Sequence, residues 1–163
     1  MIEGDRFQDD GRTLGDFVEQ VLVACPRCGR CAVVLPIEDP AADPRSRWSL
    51  LRRLTCGHCA FTQQQPQRTS SIGVPFDPYF SLPLWMSTDA VGHRVWAYNA
   101  EHLDYLLRCV SARLRERAPD QDRHRPQTLM ERLPTWMLAA SSREPMTRAL
   151  RTLAHRAAET TTT

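Results

Sequence analysis

The chain has 163 residues, 42% apolar and 25% charged, which suits one folded domain or two small ones. No apolar run approaches the roughly 20 residues a membrane-spanning helix needs. The formal charge is +2, and every basic residue is arginine. Nonspecific nucleic-acid binding draws on a large positive excess, so the overall balance does not point to it.

Residues 1–20 carry six acidic and two basic side chains and read as an acidic, partly ordered arm. The opening MIEGDRFQDD has neither the apolar segment nor the small-residue cleavage site of a secretory signal. With cysteines at metal spacing, this places the chain in a reducing cytoplasm.

Residues 21–64 hold the most specific signal. Cys25-Pro-Arg-Cys28-Gly29 and Cys56-Gly-His-Cys59 are two Cys-x-x-Cys knuckles with 27 residues between them. The two-residue gap lets both sulfurs of a pair turn toward one point, and four thiolates suit one tetrahedral Zn²⁺. The competing readings are disulfides, a redox dithiol or unligated buried thiols. Val21–Ala24 and Ala32–Leu35 flank the first knuckle as hairpin arms. Cys31 gives Cys28–Cys31 the same spacing, but Pro26 and Gly29 occupy turn positions around Cys25 and Cys28. Cys31 then opens the returning strand.

Residues 36–47 form a proline-rich loop. Its Arg45 and Arg47, with Arg52 and Arg53 beyond, make a cluster able to meet phosphates or a protein partner; the plainer reading is a solvated ribbon face. Trp48, Leu50 and Leu54 keep an even spacing on one strand face and, with Phe61, cover the small sheet. Residues 65–75 are polar and turn-rich and read as a linker.

Residues 76–157 read as a β-hairpin followed by two to three helices. Leu82–Met86 and Arg94–Tyr98 alternate and pair across a turn at Asp89–His93. Trp85, Trp96 and Tyr98 supply large surfaces for a small core, or for stacking on a base or a partner. Asn99 caps a helix whose face is Leu103, Leu106, Leu107, Val110 and Leu114, ended by Pro119 and loaded with arginine at its C-terminus. Cys109 packs on that helix. Thr128 and Glu131 have capping-box spacing for a short helix running through Trp136 and Met137. Ser142 and Pro145 open a last helix with the stripe Met146, Ala149, Leu150 and Leu153, and residues 158–163 form a frayed tail. The fold class is therefore α+β: an N-terminal Cys₄ ribbon, a hairpin and a helical C-terminal part.

The Cys-Pro-x-Cys-Gly knuckle and its partner resemble a zinc ribbon of the type named after transcription factor IIB. Residues 77–85 (DPYFSLPLW), 95–117 and 128–144 resemble a bacterial group of zinc-ribbon-containing proteins with no assigned biochemical activity. The resemblance implies one structural Zn²⁺ on Cys25, Cys28, Cys56 and Cys59, and no further site residues. Some members carry a replication-restart helicase label; this chain has no phosphate-binding Gly-x-x-x-x-Gly-Lys-[Ser/Thr] loop and is too short for that activity. Ala60 stands where such ribbons often have glycine.

Four cysteines fill a zinc shell, leaving no open position for catalysis. The five histidines, at 58, 93, 102, 124 and 155, form no His-Glu-x-x-His motif. The expectation is a non-enzyme, in one of three classes: a structural zinc ribbon that binds another protein, a nucleic-acid-binding accessory using the arginine cluster, or a Cys-x-x-Cys redox or metal-handling protein. Loading Zn²⁺ on four thiolates lowers the formal +2 to near zero, against the second; two knuckles where a redox dithiol needs one count against the third. The first is favoured.

Overall fold

The computed structural model describes residues 5–43, 50–65, 72–117 and 126–161. It is α+β. Strands β2 (Val21–Ala24), β3 (Cys31–Pro36), β4 (Arg52–Thr55) and β5 (Thr62–Gln65) form an antiparallel sheet in that order. The first hairpin is the one the sequence predicts. Val21 pairs with Val34 and Ala24 with Cys31, so Cys31 does open the returning strand. Alternation places Val21, Val23, Val34 and Leu54 inward, all buried.

β4 departs from expectation. Its inward residues are Arg52 and Leu54, while Arg53 faces solvent. Trp48, Arg45 and Arg47 lie outside the described residues. Leu50 is half-buried, and Phe61 packs against the core as expected.

The expected hairpin is present but shifted. β6 (Met86–Ala90) pairs with β7 (His93–Ala97), Met86 opposite Ala97, around a two-residue turn at Val91–Gly92. Both turn residues have positive φ, 54° and 74°, the twist that suits right-handed strands. Residues before Met86 take another partner. Leu84 bridges Val23, Ala24 N–H donates to Pro83 O at 2.9 Å, and Trp85 N–H donates to Leu22 O at 3.0 Å. Leu22 N–H donates in turn to Tyr98 O at 2.8 Å. The free edge of the ribbon sheet is thus covered by the second half of the chain, satisfying backbone groups that would otherwise stand unpaired.

α1 (Ala100–Ser111) begins where Asn99 predicts: its side chain accepts from His102 N–H at 2.8 Å. The helix ends earlier than expected. Leu114 is 54% exposed and belongs to β8 (Leu114–Glu116), which pairs in parallel with β1 (Arg6–Gln8). The helix is stopped because Arg113 and Leu114 N–H both donate to Asp5 O. Arg115 nevertheless serves the helix end, donating from Nε to Cys109 O at 2.7 Å and from Nη2 to Val110 O at 3.2 Å.

The capping box at Thr128 and Glu131 is present on α2 (Leu129–Arg132). Pro134 breaks the expected continuation, and α3 (Thr135–Leu138) restarts after it. Ser142 directly precedes α4 (Arg143–Thr161), whose Met146, Leu150 and Leu153 are fully buried. The helix runs on through 158–161, where fraying was expected.

The N-terminal arm is not peripheral. Residues 5–20 contribute β1, a short 3₁₀ turn at Leu14–Phe17, and buried Phe7, Leu14 and Phe17. One apolar core joins these residues to Val23, Leu54 and Cys56 of the ribbon and to Tyr79 and Tyr105 of the second half. A second core packs Met86 and Val95 against Leu103, Leu106, Met146 and Leu150.

Candidate metal centre

Each cysteine pair sits on a tight knuckle between two strands. In the first, Cys25 N–H donates to Arg30 O at 2.7 Å and Gly29 N–H returns to Cys25 O at 2.9 Å, with Gly29 at φ 73°. In the second, Cys56 N–H donates to Phe61 O at 2.9 Å, and Ala60 takes the left-handed conformation at φ 57°. The β3–β4 register, Val33 opposite Thr55, brings the two knuckles to one end of the sheet.

There the four sulfurs converge. Cys25 Sγ lies 3.7 Å from Cys59 Sγ, and Cys28 Sγ 3.6 Å from Cys56 Sγ; all four ligand atoms lie within 4.8 Å of one another. Sulfurs about 2.3 Å from one Zn²⁺ stand about 3.8 Å apart along the edges of a tetrahedron, whereas a disulfide holds them about 2.05 Å apart. All six cysteines are free thiols. The donor set therefore fits one tetrahedral metal ion. Cys31 is not part of it: its Sγ turns to Ala32 O at 3.9 Å, and burial, with Cys56 beside it, pushes the thiol up to about 11.

The local field separates two of the four thiols. Burial raises the Cys56 thiol, but N–H groups of Cys59 and His58 and the neighbouring sulfurs outweigh it and bring it down to about 7. Cys59 is the counterpart: Phe61 N–H lowers it, while burial and the other three sulfurs prevail and push it up to about 12. Protons crowded among four sulfurs are what a divalent cation displaces on binding. Arg27 N–H donates to Cys25 Sγ at 3.4 Å, and the exposed Arg30 and His58 side chains meet at 3.3 Å above the knuckles.

Of the other predicted contact residues that the structure describes, Arg52 and Arg53 face opposite sides of β4. Arg52 is 1% exposed and points inward; Nη1 donates to Val18 O at 2.9 Å and Glu19 O at 3.2 Å, and its guanidinium lies over the Tyr79 ring. It is unavailable to a phosphate, because the β4 alternation that exposes Arg53 buries it. Tyr98 is fully buried and Trp85 and Trp96 are half-buried, so these rings are chiefly core. Trp96 stands 5.1 Å from Tyr98 and 5.7 Å from His102.

Three organising residues escaped the sequence pattern. Asp9 is buried and accepts from Thr128 Oγ1 at 2.5 Å and Tyr105 OH at 3.1 Å, tying the arm to α2 and α1. Asp77 accepts from Tyr79, Phe80 and Leu82 N–H at 2.9, 2.8 and 2.7 Å; the Asp-Pro pair is a turn signal that could have identified it. His102 is buried, which nothing in its sequence neighbourhood announces. Among the described residues, no helix is long and apolar enough to cross a membrane. No protein-family model matches the chain, and neither a curated protein nor a solved structure is significantly similar to it, so the zinc-ribbon resemblance stands on the four cysteines and their geometry.

Proposed function

We propose that the chain is a non-catalytic zinc-ribbon protein that acts as a protein-interaction module, its Cys₄ site holding one structural Zn²⁺. The observation that carries the structural, non-catalytic reading of the site is the closed shell: four sulfurs at tetrahedral spacing leave no ligand position for water or substrate. Zinc is chosen over softer or redox metals because a closed Cys₄ clasp on a small sheet suits a d¹⁰ ion with no geometric preference of its own. The metal's work is to hold β2–β5 together where the sheet end has few apolar side chains. A reducing compartment such as the cytoplasm suits the free thiols.

Metal analysis of the purified chain is expected to give about one zinc per chain. Chelation or Cys56→Ser is expected to melt the ribbon cooperatively; full metal retention with an unchanged melt in Cys56→Ser, or a chain purifying with iron, overturns the zinc assignment. Affinity capture from the native host, with Cys56→Ser as control, tests the interaction role. Recovery of no protein dependent on the folded ribbon counts against it. The nucleic-acid reading loses support from the inward turn of Arg52; a salt-dependent gel shift would restore it.

A further inference from the structure

Away from the cysteines, a cavity of about 210 Å³ opens between β7, the start of α1 and the α2–α3 segment. Its walls are mostly apolar, with Trp96 and Trp136 the large faces. Trp136 is itself braced by His93, stacked at 4.0 Å with the planes 13° apart. Three cationic or polar groups line it: His102, Arg94 and Arg132.

His102 is 2% exposed, and its Nδ1 accepts from Tyr98 N–H at 3.1 Å. Burial and the nearby Arg12 hold its pKa down to about 3, so the ring is neutral near pH 7. A neutral ring accepting at Nδ1 must carry its proton on Nε2. That N–H has no hydrogen-bond partner among the described residues, on a ring that lines the cavity. At the rim, Arg94 is engaged by Asp89 at 3.1 Å. Arg132 is exposed and forms no ion pair among the described residues.

We propose that this cavity binds a small aromatic carboxylate, its ring between Trp96 and Trp136 and its carboxylate on Arg132. An apolar cavity of about 150 Å³ takes a benzene ring, so this one has room for a single ring with a short acidic arm. The His102 Nε2–H offers a donor to an acceptor atom on the ligand, and the guanidinium offers a charge-assisted pair that a neutral ligand cannot make. The site is independent of the metal and of the interaction role proposed above.

The test is calorimetric titration of the full-length, metal-loaded chain with 3-phenylpropanoate and with 3-phenylpropanamide, checked by ligand-observed NMR. One saturable site is expected, with the acid bound about tenfold more tightly than the amide. Arg132→Gln, at an exposed position, should erase that preference without changing the melt. Leu133→Trp, which fills the cavity from its lining, should abolish binding of both at unchanged metal content. No saturable binding at millimolar ligand, equal affinity for acid and amide, or an acid preference surviving Arg132→Gln each overturns the proposal.

Discussion

The Arg52 guanidinium lies 4.2 Å from the centroid of the Tyr79 ring, inside the protein. One residue belongs to the ribbon and the other to the segment that follows the expected linker. Arg52 Nη1 also donates to Val18 O and Glu19 O, so a single side chain fastens the ribbon to the N-terminal arm and to the second half. The two halves are therefore expected to unfold together.

Substitution separates Arg52 from its neighbour. Arg52→Ala removes a cation–π contact and two charge-assisted hydrogen bonds and leaves a void, a loss of about 2–4 kcal/mol. Arg53→Ala, on the solvent side of the same strand, is expected to stay within about 0.5 kcal/mol. Denaturant unfolding of the metal-loaded proteins reads both. Similar small effects at the two positions would mean that Arg52 is not the buried fastener.

Three non-glycine side chains among the described residues occupy left-handed backbone where glycine or asparagine is more at ease: Ala60 and Ser81, both at φ 57°, and Val91 at φ 54°. A β-carbon there costs about 1–2 kcal/mol, partly offset by the greater freedom glycine regains on unfolding. Ala60→Gly and Val91→Asn are each expected to stabilise by about 0.5–1 kcal/mol, raising Tm by a few degrees. The converse change, Gly29→Ala at φ 73°, should cost about 1 kcal/mol although no atom lies within 4 Å of the added methyl. A neutral Gly29→Ala would show the knuckle relaxing to another conformation.

His102 gives stability a dependence on pH. Its folded pKa is about 3, below the ordinary 6.5, because burial and then Arg12 disfavour the cation. Between those values the unfolded chain binds a proton that the folded chain refuses. This contribution is therefore complete above about pH 6.5 and is lost by about 1.4 kcal/mol per pH unit as pH falls toward 3. NMR of the metal-loaded protein should show the His102 ring still neutral at pH 5. A midpoint near 6.5 for that ring would mean that it is solvated.

The four-cysteine cluster was legible in the sequence because a knuckle is local: Cys-x-x-Cys turns its own two sulfurs toward one point, whatever surrounds it. The Asn99 cap and the Thr128–Glu131 capping box were legible for the same reason, each being a bond within four residues. Arg52, Leu114 and Asp9 were not. Arg52 and Arg53 are the same residue type in adjacent positions, and the strand pairing that decides which one faces inward is set by partners far along the chain. Leu114 continues the α1 periodicity, yet Asp5 and β1 claim the backbone there and draw it into a parallel pair. Asp9 meets Thr128 across 119 positions, a contact with no local signature. The sequence by itself determined the four-cysteine cluster, the first hairpin and the starts of α1, α2 and α4. Tertiary structure decided that the acidic arm is core, that the ribbon and the helical half share one interior, and that a lined cavity lies between β7 and α3, because each depends on pairings of distant segments.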